Sequence, residues 1–545
     1  MLKVAIAVAP GRAPAWHGWC IDALRALENV ETVVVPAARD GDLRDADVIV
    51  DLAGAGIAGE PRLGVWSFSP GSANGALPFA REIGSGTRTF EIALVRRSAQ
   101  RLEPLRAGRF AVTAWYPSTM RLAFAEAARW PATLVALLAS GHDGGAPFDG
   151  AQGDIPDRHA EPRRSMGHDP SPFDGAHAQR DTRQGDIPDR HAEPCHPEPV
   201  EGRSMGHDPS PFDGAQGDIE IPAPLTLWER VRFGAALVAN LARALWDDLF
   251  EIVEWNVGFV DGDARLLLAA APLAVRWLPP PPRGTLIADP FVVERDGITA
   301  LFVEAFEYRS SHGAIDALVL AADGSVSRRV RALDAATHLS YPYPVEIDGE
   351  LYLVPENCAG NEVALYRCAR FPDTWERESA IFPAFDGLDT TLFAHDGRWW
   401  AFCTRYSHGA AVALFAFHAT SPRGPWTAHA LNPIVCDASC ARSAGQPFVV
   451  DGVWYRPGQD CSRSYGGGLA IARIDALTPS DYRETVVRRI DGRGLGRWSD
   501  GIHTVSFMRG ALVVDGKRSY RSARKLAWAL PRLLKRSWRP PGPTT

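Results

Sequence analysis

Several features that define other protein classes are scarce in this 545-residue sequence. No run of eighteen apolar residues occurs, so length and composition argue against a membrane-spanning helix. The 58 Lys and Arg residues are outnumbered by 65 Asp and Glu residues. The resulting net charge of −7 argues against a nucleic-acid-binding protein, which would usually be basic.

The eight cysteines include no C-x-x-C pair. Met1–Val8 has no long apolar segment or cleavage site and is predicted to be a buried strand, not a signal peptide. Without an export signal, we expect reduced thiols in the cytoplasm. Zinc binding by Cys436 and Cys440 would need two more ligands, and neither a metal nor a cofactor is predicted.

Near-identical repeats fill residues 140–222. Ser165–Ala176 recurs at Ser204–Ala215, and Gly153–Pro162 recurs at Gly185–Pro194. These copies are rich in Pro, Gly, Asp and His and hold too few apolar residues to offset the entropy of ordering. Exact identity indicates copied DNA, so we interpret the segment as a disordered insert that translates a mobile genomic repeat. Its His residues could suggest metal binding, but a solvated linker is the simpler interpretation.

Residues 1–139 alternate short apolar strands with helical stretches. Val4–Val8, Thr32–Pro36 and Val48–Leu52 are predicted strands, and Trp16–Leu27 is a predicted helix. This alternation is typical of an α/β domain with a parallel sheet. No G-x-G-x-x-G follows the first strand, which argues against dinucleotide binding.

The stretch from Asp51 to Pro70, followed by Gly84–Leu94, resembles the N-terminal domain of folate-dependent formyltransferases. That family has an Asn-x-His-Pro motif and a later Asp, but Ser67 and Ser69 stand at the Asn and His places here. A serine supplies neither the base nor the amide that formyl transfer needs. The resemblance therefore implies a degenerate domain, and formyl transfer is not expected.

After a helical connector predicted at 223–254, one unit recurs with drift through residues 255–520. It is an apolar strand, a turn and a second apolar strand, and the turns fall at Asp296-Gly297, Asp348-Gly349, Asp396-Gly397, Asp451-Gly452 and, more weakly, Arg509-Gly510. Asp-Gly pairs favour tight hairpins, and their spacing of roughly fifty residues matches one four-stranded blade. The prediction is a multidomain chain whose C-terminal domain is a five-bladed β-propeller.

Pseudo-symmetry predicts a ring of residues around the central funnel, seven places before each turn. Counting back gives Asp289, Tyr341, Asp389, Ala444 and Ile502. We predict four catalytic carboxylates at or near this ring, which are Asp289, Glu356, Asp389 and Asp460. The predicted substrate-binding residues are His338, Tyr341, Arg405, Arg442, Gln446, Gln459, Arg463 and His503. Tyr341, Tyr343 and Tyr465 are candidates for stacking on sugar rings.

Ala288–Pro290 and Leu388–Phe393 resemble the first and third blades of five-bladed furanosidase-type glycoside hydrolases. The resemblance implies that Asp289 is a general base and that Asp389 tunes a Glu acid on the fourth blade. Here the fourth-blade stretch Ser443–Pro447 contains no Glu, so two-carboxylate hydrolysis lacks its acid unless Glu356 or Asp460 replaces it. The alternative is that Asp289 and Asp389 cap turns or pair with Arg442 and Arg405.

Four ordered motifs carry a closer resemblance over residues 255–520. They are His338–Pro342, Val354–Asn357, Gln459–Arg463 and Ile474–Thr478, and together they resemble the N-terminal domain of glucosamine inositolphosphorylceramide transferases. In that family, transfer is attributed to a separate C-terminal domain. The resemblance therefore implies a saccharide-related setting rather than transfer itself.

The tail, residues 521–545, mixes basic residues with Trp and Leu, which suits either an interfacial helix on anionic lipid or a solvated tail. We therefore expect a cytoplasmic protein, with peripheral contact at the inner membrane as an alternative. The favoured function is binding or modification of a saccharide or glycolipid in bacterial cell-surface glycan assembly. An active glycosidase and a non-catalytic interaction scaffold remain the other two hypotheses.

Overall fold

The computed structural model describes residues 1–9, 14–37, 43, 45–54, 57, 61–69, 77–98, 101–140 and 224–526. The predicted repeat insert therefore lies outside the described residues from 141 onward. Most of the predicted tail, from residue 527, also lies outside them. The fold below is that of the described residues.

The N-terminal region is built on a six-stranded sheet with the order β2-β1-β3-β4-β5-β6. Its strands are β1 (Leu2–Val8), β2 (Val30–Pro36), β3 (Val48–Asp51), β4 (Val65–Ser69), β5 (Thr89–Ser98) and β6 (Arg101–Ala111). The first four pair in parallel, as the sequence predicts, but β5 and β6 are antiparallel. The predicted parallel arrangement is confirmed for β1–β4, and the sheet as a whole is mixed. The short connection between β5 and β6 requires these two strands to be antiparallel, and β5 also runs antiparallel to β4.

Four helices belong to this region: α1 (Ala15–Arg25), α2 (Ala80–Gly84), α3 (Tyr116–Ala127) and α4 (Trp130–Ala139). By length and composition, Tyr116–Ala139 could cross a membrane, but 56% of that window is buried. Phe124, Trp130 and Val135 lie in the apolar core beside Trp16 and Phe68. The segment therefore resembles the core helix of a folded domain.

The C-terminal region is a propeller of five blades, which confirms the predicted architecture. Blade 1 contains β9 (Thr285–Arg295), β10 (Ile298–Glu307), β11 (His312–Leu320) and β12 (Val326–Leu333). Blade 2 contains β13 (Ser340–Ile347), β14 (Glu350–Glu356), β15 (Glu362–Arg370) and β16 (Thr374–Pro383). Blade 3 contains β17 (Gly387–His395), β18 (Arg398–Arg405), β19 (Ala413–Ala419), β20 (Thr427–Ala428) and β21 (Val435–Cys436).

Blade 4 contains β22 (Phe448–Val450), β23 (Val453–Asp460), β24 (Gly468–Leu477) and β25 (Tyr482–Asp491). Blade 5 combines the two ends of the propeller sequence: β26 (Val505–Met508), β27 (Ala511–Arg521), β7 (Glu251–Asp261) and β8 (Arg276–Trp277). The pairing of β27 with β7 closes the ring. Because this pairing joins the two ends of the propeller sequence within one blade, it stabilises the whole ring.

Helix α5 (Leu227–Phe250) connects the two regions, and strand β7 begins at Glu251, inside the predicted connector 223–254. A capping box starts the helix, because Thr226 and Glu229 exchange hydrogen bonds. Phe233 packs edge-on against Tyr116 of the N-terminal region. Further contact comes from β6, where the carbonyl of Arg109 accepts a hydrogen bond from the amide of Ala438 (2.9 Å).

Candidate functional site

The predicted ring positions are structurally equivalent in the first three blades. Asp289, Tyr341 and Asp389 have φ angles of 50°, 44° and 48°. In each blade the hairpin register shifts at this point of the inner strand. Left-handed φ is uncommon outside glycine, so three repeats of it mark a shared local geometry. Ala444 and Ile502 occupy the other two ring positions and are fully buried.

Arg442 holds two of the predicted catalytic carboxylates together. Its Nε and Nη2 donate to Asp389 Oδ2 (2.6 Å) and Oδ1 (3.1 Å), and Nη2 also donates to Glu356 Oε2 (3.1 Å). Gln459 Nε2 adds a bond to Asp389 Oδ2 (2.8 Å). Burial raises the pKa of Glu356 well above its ordinary value, and Asp389 adds to the shift while Arg442 opposes it. The three charged groups form a buried, mutually dependent network.

His503 lies between two other buried carboxylates. Its Nδ1 is 2.6 Å from Asp515 Oδ2, and its Nε2 is 3.5 Å from Asp289 Oδ1. Burial alone would lower the pKa of His503, but Asp515 and Asp289 outweigh it and raise the pKa to about 9. Asp289 also accepts hydrogen bonds from the Thr504 hydroxyl (2.7 Å) and the Tyr341 amide (3.2 Å). Desolvation raises the pKa of Asp289, although His503 opposes the shift.

Tyr465 bridges these two clusters while keeping access to solvent. The Arg442 guanidinium carbon lies 5.2 Å from the ring centroid, and the His503 ring meets it edge-on at 5.4 Å. The residue is nevertheless 48% exposed. Gly466 fixes this loop, because its φ of 61° and a Cβ position only 2.6 Å from Trp255 would both penalise a side chain. Tyr465 therefore presents an aromatic surface above a charged network.

Trp255 and Lys517, both from blade 5, contact His503 and the Tyr465 loop. The Trp255 ring stacks on His503 with a centroid distance of 3.9 Å. Lys517 Nζ donates to the Tyr465 carbonyl (2.6 Å) and lies 5.9 Å from the Trp255 ring. These contacts hold the Tyr465 loop and the His503 ring against the same wall of the propeller.

Other predicted site residues lie elsewhere or serve other roles. Asp460 Oδ1 accepts from the Ser462 amide (3.0 Å), and Oδ2 pairs with Arg489 (3.2 Å), so Asp460 caps a turn. Arg405 pairs with Asp386 (2.7 Å) and not with Asp389, which corrects one of the predicted pairings. Gln446 and Arg463 are exposed.

The structure also corrects the predicted stacking residues. Tyr341 and Tyr343 are almost fully buried, and their hydroxyls bond to the Thr391 hydroxyl (2.8 Å) and the Leu392 carbonyl (2.6 Å). Neither ring can stack on a ligand, so Tyr465 is the one of the three candidates that is exposed. His338 is partly exposed and pairs with Glu304 (3.2 Å). Burial lowers its pKa, but the Glu304 carboxylate outweighs this and raises it.

Sequence reasoning missed Asp515, Thr504 and Trp255. Asp515 follows the apolar run Leu512–Val514, and an acid within such a buried strand is a usable signal for a functional or networked group. Trp255 could not be found by repeat counting, because it enters the site through the closing strand. One ligand atom each from Asp289, His503 and Asp515 lies within 4.8 Å of the others. Because the pKa of His503 is raised to about 9, its ring is protonated at neutral pH, and the trio forms an ion-pair network and not a cation site.

Comparison with known protein families finds a match in the propeller region. Residues 281–498 match the family model of glucosamine inositolphosphorylceramide transferase 1, N-terminal. The match spans fewer than half of the residues in the chain. The predicted resemblance over the propeller is thereby confirmed, whereas the formyltransferase-like character of residues 1–139 stays a prediction.

Two curated plant proteins show the same similarity. The glucosamine inositolphosphorylceramide transferase 1 of Oryza sativa subsp. japonica is 35% identical over 207 residues, which are 37% of this chain and 28% of that protein. The Arabidopsis thaliana protein of the same name is 32% identical over 207 residues, covering 37% of this chain and 27% of that protein. This chain therefore spans under a third of the length of these relatives.

Solved structures of glycoside hydrolases align with part of this chain. A β-xylosidase aligns at 12% identity over 39% of this chain and 79% of that chain, with a TM-score of 0.31. An α-L-arabinofuranosidase from Podospora anserina aligns at 11% identity over 42% of this chain and 79% of that chain, also with a TM-score of 0.31. Likeness of this size assigns no role to any residue.

Proposed function

We propose that the propeller binds a saccharide, in the free form or as the headgroup of a glycolipid, with Tyr465 as the stacking surface. The observation that carries this proposal is the exposed Tyr465 ring set above Arg442 and beside His503. Ligand sites commonly combine an aromatic surface with a few fixed polar groups. Arg442 and His503 are each held by carboxylates, so both are already oriented before a ligand arrives.

Binding fits this geometry better than two-carboxylate hydrolysis. Hydrolysis needs one carboxylic acid free to protonate the leaving oxygen and one carboxylate free to act as base or nucleophile. Asp389 and Glu356 share one guanidinium, and Asp460 caps a turn. The fourth-blade ring position is Ala444, which has no proton to give. The sequence resemblance makes Asp289 a base. Burial raises the pKa of Glu356, as a general acid would need, but Arg442 and the Asp389 amide both donate to its Oε2 (3.1 and 3.2 Å).

The similarity to glucosamine inositolphosphorylceramide transferase 1 supports a choice of ligand class. We propose an amino sugar or an inositol-phosphate-linked sugar, whose ring offers an apolar face for Tyr465 and whose hydroxyls or phosphate offer acceptors for cationic groups. Assembly of a bacterial cell-surface glycan or glycolipid, in the cytoplasm or at the inner membrane, is the setting we propose for this activity.

Calorimetric titration of the full chain with a saccharide panel tests the proposal. The panel should contain glucosamine, N-acetylglucosamine, glucuronic acid, inositol phosphate and a glycosylated inositol phosphate. Replacing Tyr465 by Ala should weaken binding of the best ligand by roughly tenfold, since a well-placed aromatic contact contributes about 0.5–1.5 kcal/mol beyond its buried area.

Tyr406→Ala is the matched control, because Tyr406 is also exposed and lies in a short helical turn of blade 3. It should bind as the wild type does. Equal affinity for the wild type and Tyr465→Ala would refute the stacking site. Release of free sugar from an aryl furanoside, abolished by Asp289→Asn, would replace the binding proposal with glycosidase activity.

A further inference from the structure

Helix α5 exposes an unusual concentration of apolar side chains. Of the eighteen large apolar residues that are exposed in the described chain, seven lie on this helix. They are Leu227, Trp228, Val231, Val238, Leu241, Leu245 and Trp246. Isolated exposed apolar residues are normal, but a contiguous group marks an interaction surface.

These residues form one stripe along the helix. Leu227, Val231, Val238, Leu241 and Leu245 follow spacings of four, seven, three and four, which place them on one helical face. The two Trp residues lie beside the stripe near its two ends, about 27 Å apart along the axis at the rise of an α-helix. On the opposite face, Phe233 is buried against the N-terminal region. The helix is therefore anchored to the protein by one side and leaves its apolar stripe uncovered.

A basic groove of about 650 Å³ lies at the edge of blade 5. Four arginines line it, namely Arg283, Arg497, Arg518 and Arg524, together with Tyr520 and Ser522. Within the described residues, no carboxylate forms an ion pair with any of the four guanidinium groups. Glu254 also lines the groove, but its Oε1 accepts a hydrogen bond from the Tyr520 hydroxyl (2.8 Å). The groove thus carries an excess of positive charge, although Arg518 and Arg497 lie over the rings of Tyr520 and Trp498.

The segment that lines the basic groove is attached to the C-terminal end of α5, where the apolar stripe also ends. The Ser522 amide donates to the Phe250 carbonyl (2.8 Å), and Arg521 pairs with Asp247 (3.2 Å). Lys525 Nζ donates to the Asp247 carbonyl (3.0 Å). The groove-lining segment is therefore fixed to the helix immediately after Leu245 and Trp246.

We propose that the α5 stripe and the blade-5 groove together form a docking surface for an anionic membrane. The stripe would lie at the level of the lipid headgroups with its apolar side chains toward the acyl chains, and the groove would receive phosphate groups of anionic lipids. Charge complementarity selects this occupant, because four unpaired arginines beside an apolar stripe suit a surface that is both apolar and negative. Of the three acidic residues on α5, Glu229 and Asp247 pair with Arg81 and Arg521, and Asp248 is exposed. The proposal is independent of saccharide binding at Tyr465.

Cosedimentation of the full chain with lipid vesicles tests this surface. The wild type should bind vesicles of phosphatidylcholine that contain a quarter phosphatidylglycerol, and should bind pure phosphatidylcholine vesicles much more weakly. Arg283→Ala combined with Arg497→Ala should weaken binding to the anionic vesicles by roughly 30-fold, since each basic residue near such a surface contributes about fivefold. Val238→Glu combined with Leu245→Glu should weaken binding to both vesicle types by about tenfold or more.

Matched controls use equally exposed residues outside the surface. Arg370→Ala on blade 2 and Val449→Glu on blade 4 should bind like the wild type. All changed side chains are exposed, so melting temperatures should be unaltered, which separates lost docking from lost folding.

Several outcomes would overturn the proposal. Wild-type affinity in both double variants would show that the stripe and the groove do not dock. A wild-type dimer that Val238→Glu with Leu245→Glu converts to a monomer, without vesicle binding, would assign the stripe to a second copy of the chain. Binding of inorganic phosphate or free inositol phosphate in the groove without vesicle binding would assign the groove to a soluble anion.

Discussion

Replacing Arg442 by Met tests whether the buried carboxylates depend on a single cation. The Met side chain keeps much of the apolar volume of Arg but removes the guanidinium that contacts Asp389 and Glu356 at 2.6–3.1 Å. Both carboxylates would then be buried without a positive partner. Removing one member of a buried ion pair costs about 3–5 kcal/mol, and this change leaves two carboxylates uncompensated. We therefore expect a loss at or above the upper end of that range at neutral pH.

The loss should depend on pH in a defined direction. Burial already raises the pKa of Glu356, and removing Arg442 takes away the cation that opposes the shift. The folded variant would then bind protons more tightly than the unfolded chain does, so its stability should rise as the pH falls. The deficit relative to the wild type should therefore shrink between neutral pH and pH ~4.

Thermal and urea unfolding of both proteins across this pH range measures the effect. Arg367→Met is the matched control, because Arg367 forms an exposed pair with Glu376 (2.7 Å), and such pairs contribute about 0–1 kcal/mol. A deficit below about 1 kcal/mol for Arg442→Met, or one that does not change with pH, would refute the buried network.

Three further predictions follow from other parts of the site. Burial lowers the pKa of His503, but Asp515 and Asp289 outweigh burial and raise the pKa from 6.5 to about 9. The shift stabilises the folded state by roughly 3 kcal/mol. This stabilisation is complete below pH ~6.5 and is lost as the pH rises through ~9. The melting temperature should therefore fall more steeply between pH ~6.5 and ~9 in the wild type than in Asp515→Asn, which lacks the carboxylate that raises the His503 pKa most. Parallel pH profiles would contradict this assignment. Asp460→Asn should leave saccharide binding unchanged and alter stability by less than about 1 kcal/mol, because its pair with Arg489 is partly exposed; loss of binding in calorimetry would return Asp460 to the site. Gly466→Ala should destabilise the propeller by about 1–3 kcal/mol in urea unfolding. Gly349→Ala should cost less, because both glycines have positive φ but only Gly466 faces a close neighbour, Trp255. Equal losses in the two variants would show that backbone strain alone causes the effect.

Local signals in the sequence were sufficient to predict the propeller. Asp296, Asp348, Asp396 and Asp451 all adopt left-handed φ in the hairpin turns that their Asp-Gly pairs predicted. Counting back from these turns found equivalent backbone positions because each blade repeats the same inner strand. A ring of equivalent residues follows from repetition alone, without knowledge of side-chain contacts.

Partners brought together by ring closure could not be predicted in the same way. Trp255 and Asp515 lie 260 residues apart in sequence, yet their strands β7 and β27 pair in blade 5. Repeat counting treats each blade as one continuous segment, so it misses a blade assembled from both ends. Arg442 was predicted near the site, but which carboxylates it pairs with depends on packing across blades 2, 3 and 4.

Side-chain burial was the other limit of the sequence interpretation. Tyr341 and Tyr465 are equally plausible stacking residues in a sequence, but one is buried on an inner strand and the other is exposed on a loop. The difference follows from the tight turn at Gly466, which holds the preceding ring against Arg442 and leaves one part of it in solvent.

A crystal structure of the full chain with the tightest-binding saccharide of the panel would test the central claim most directly. We predict density for a sugar ring stacked on Tyr465 at van der Waals distance, about 4 Å, with a hydroxyl or phosphate group directed toward Arg442 or His503. A sugar bound away from Tyr465, in the blade-5 groove or on the N-terminal region, would contradict the proposed site.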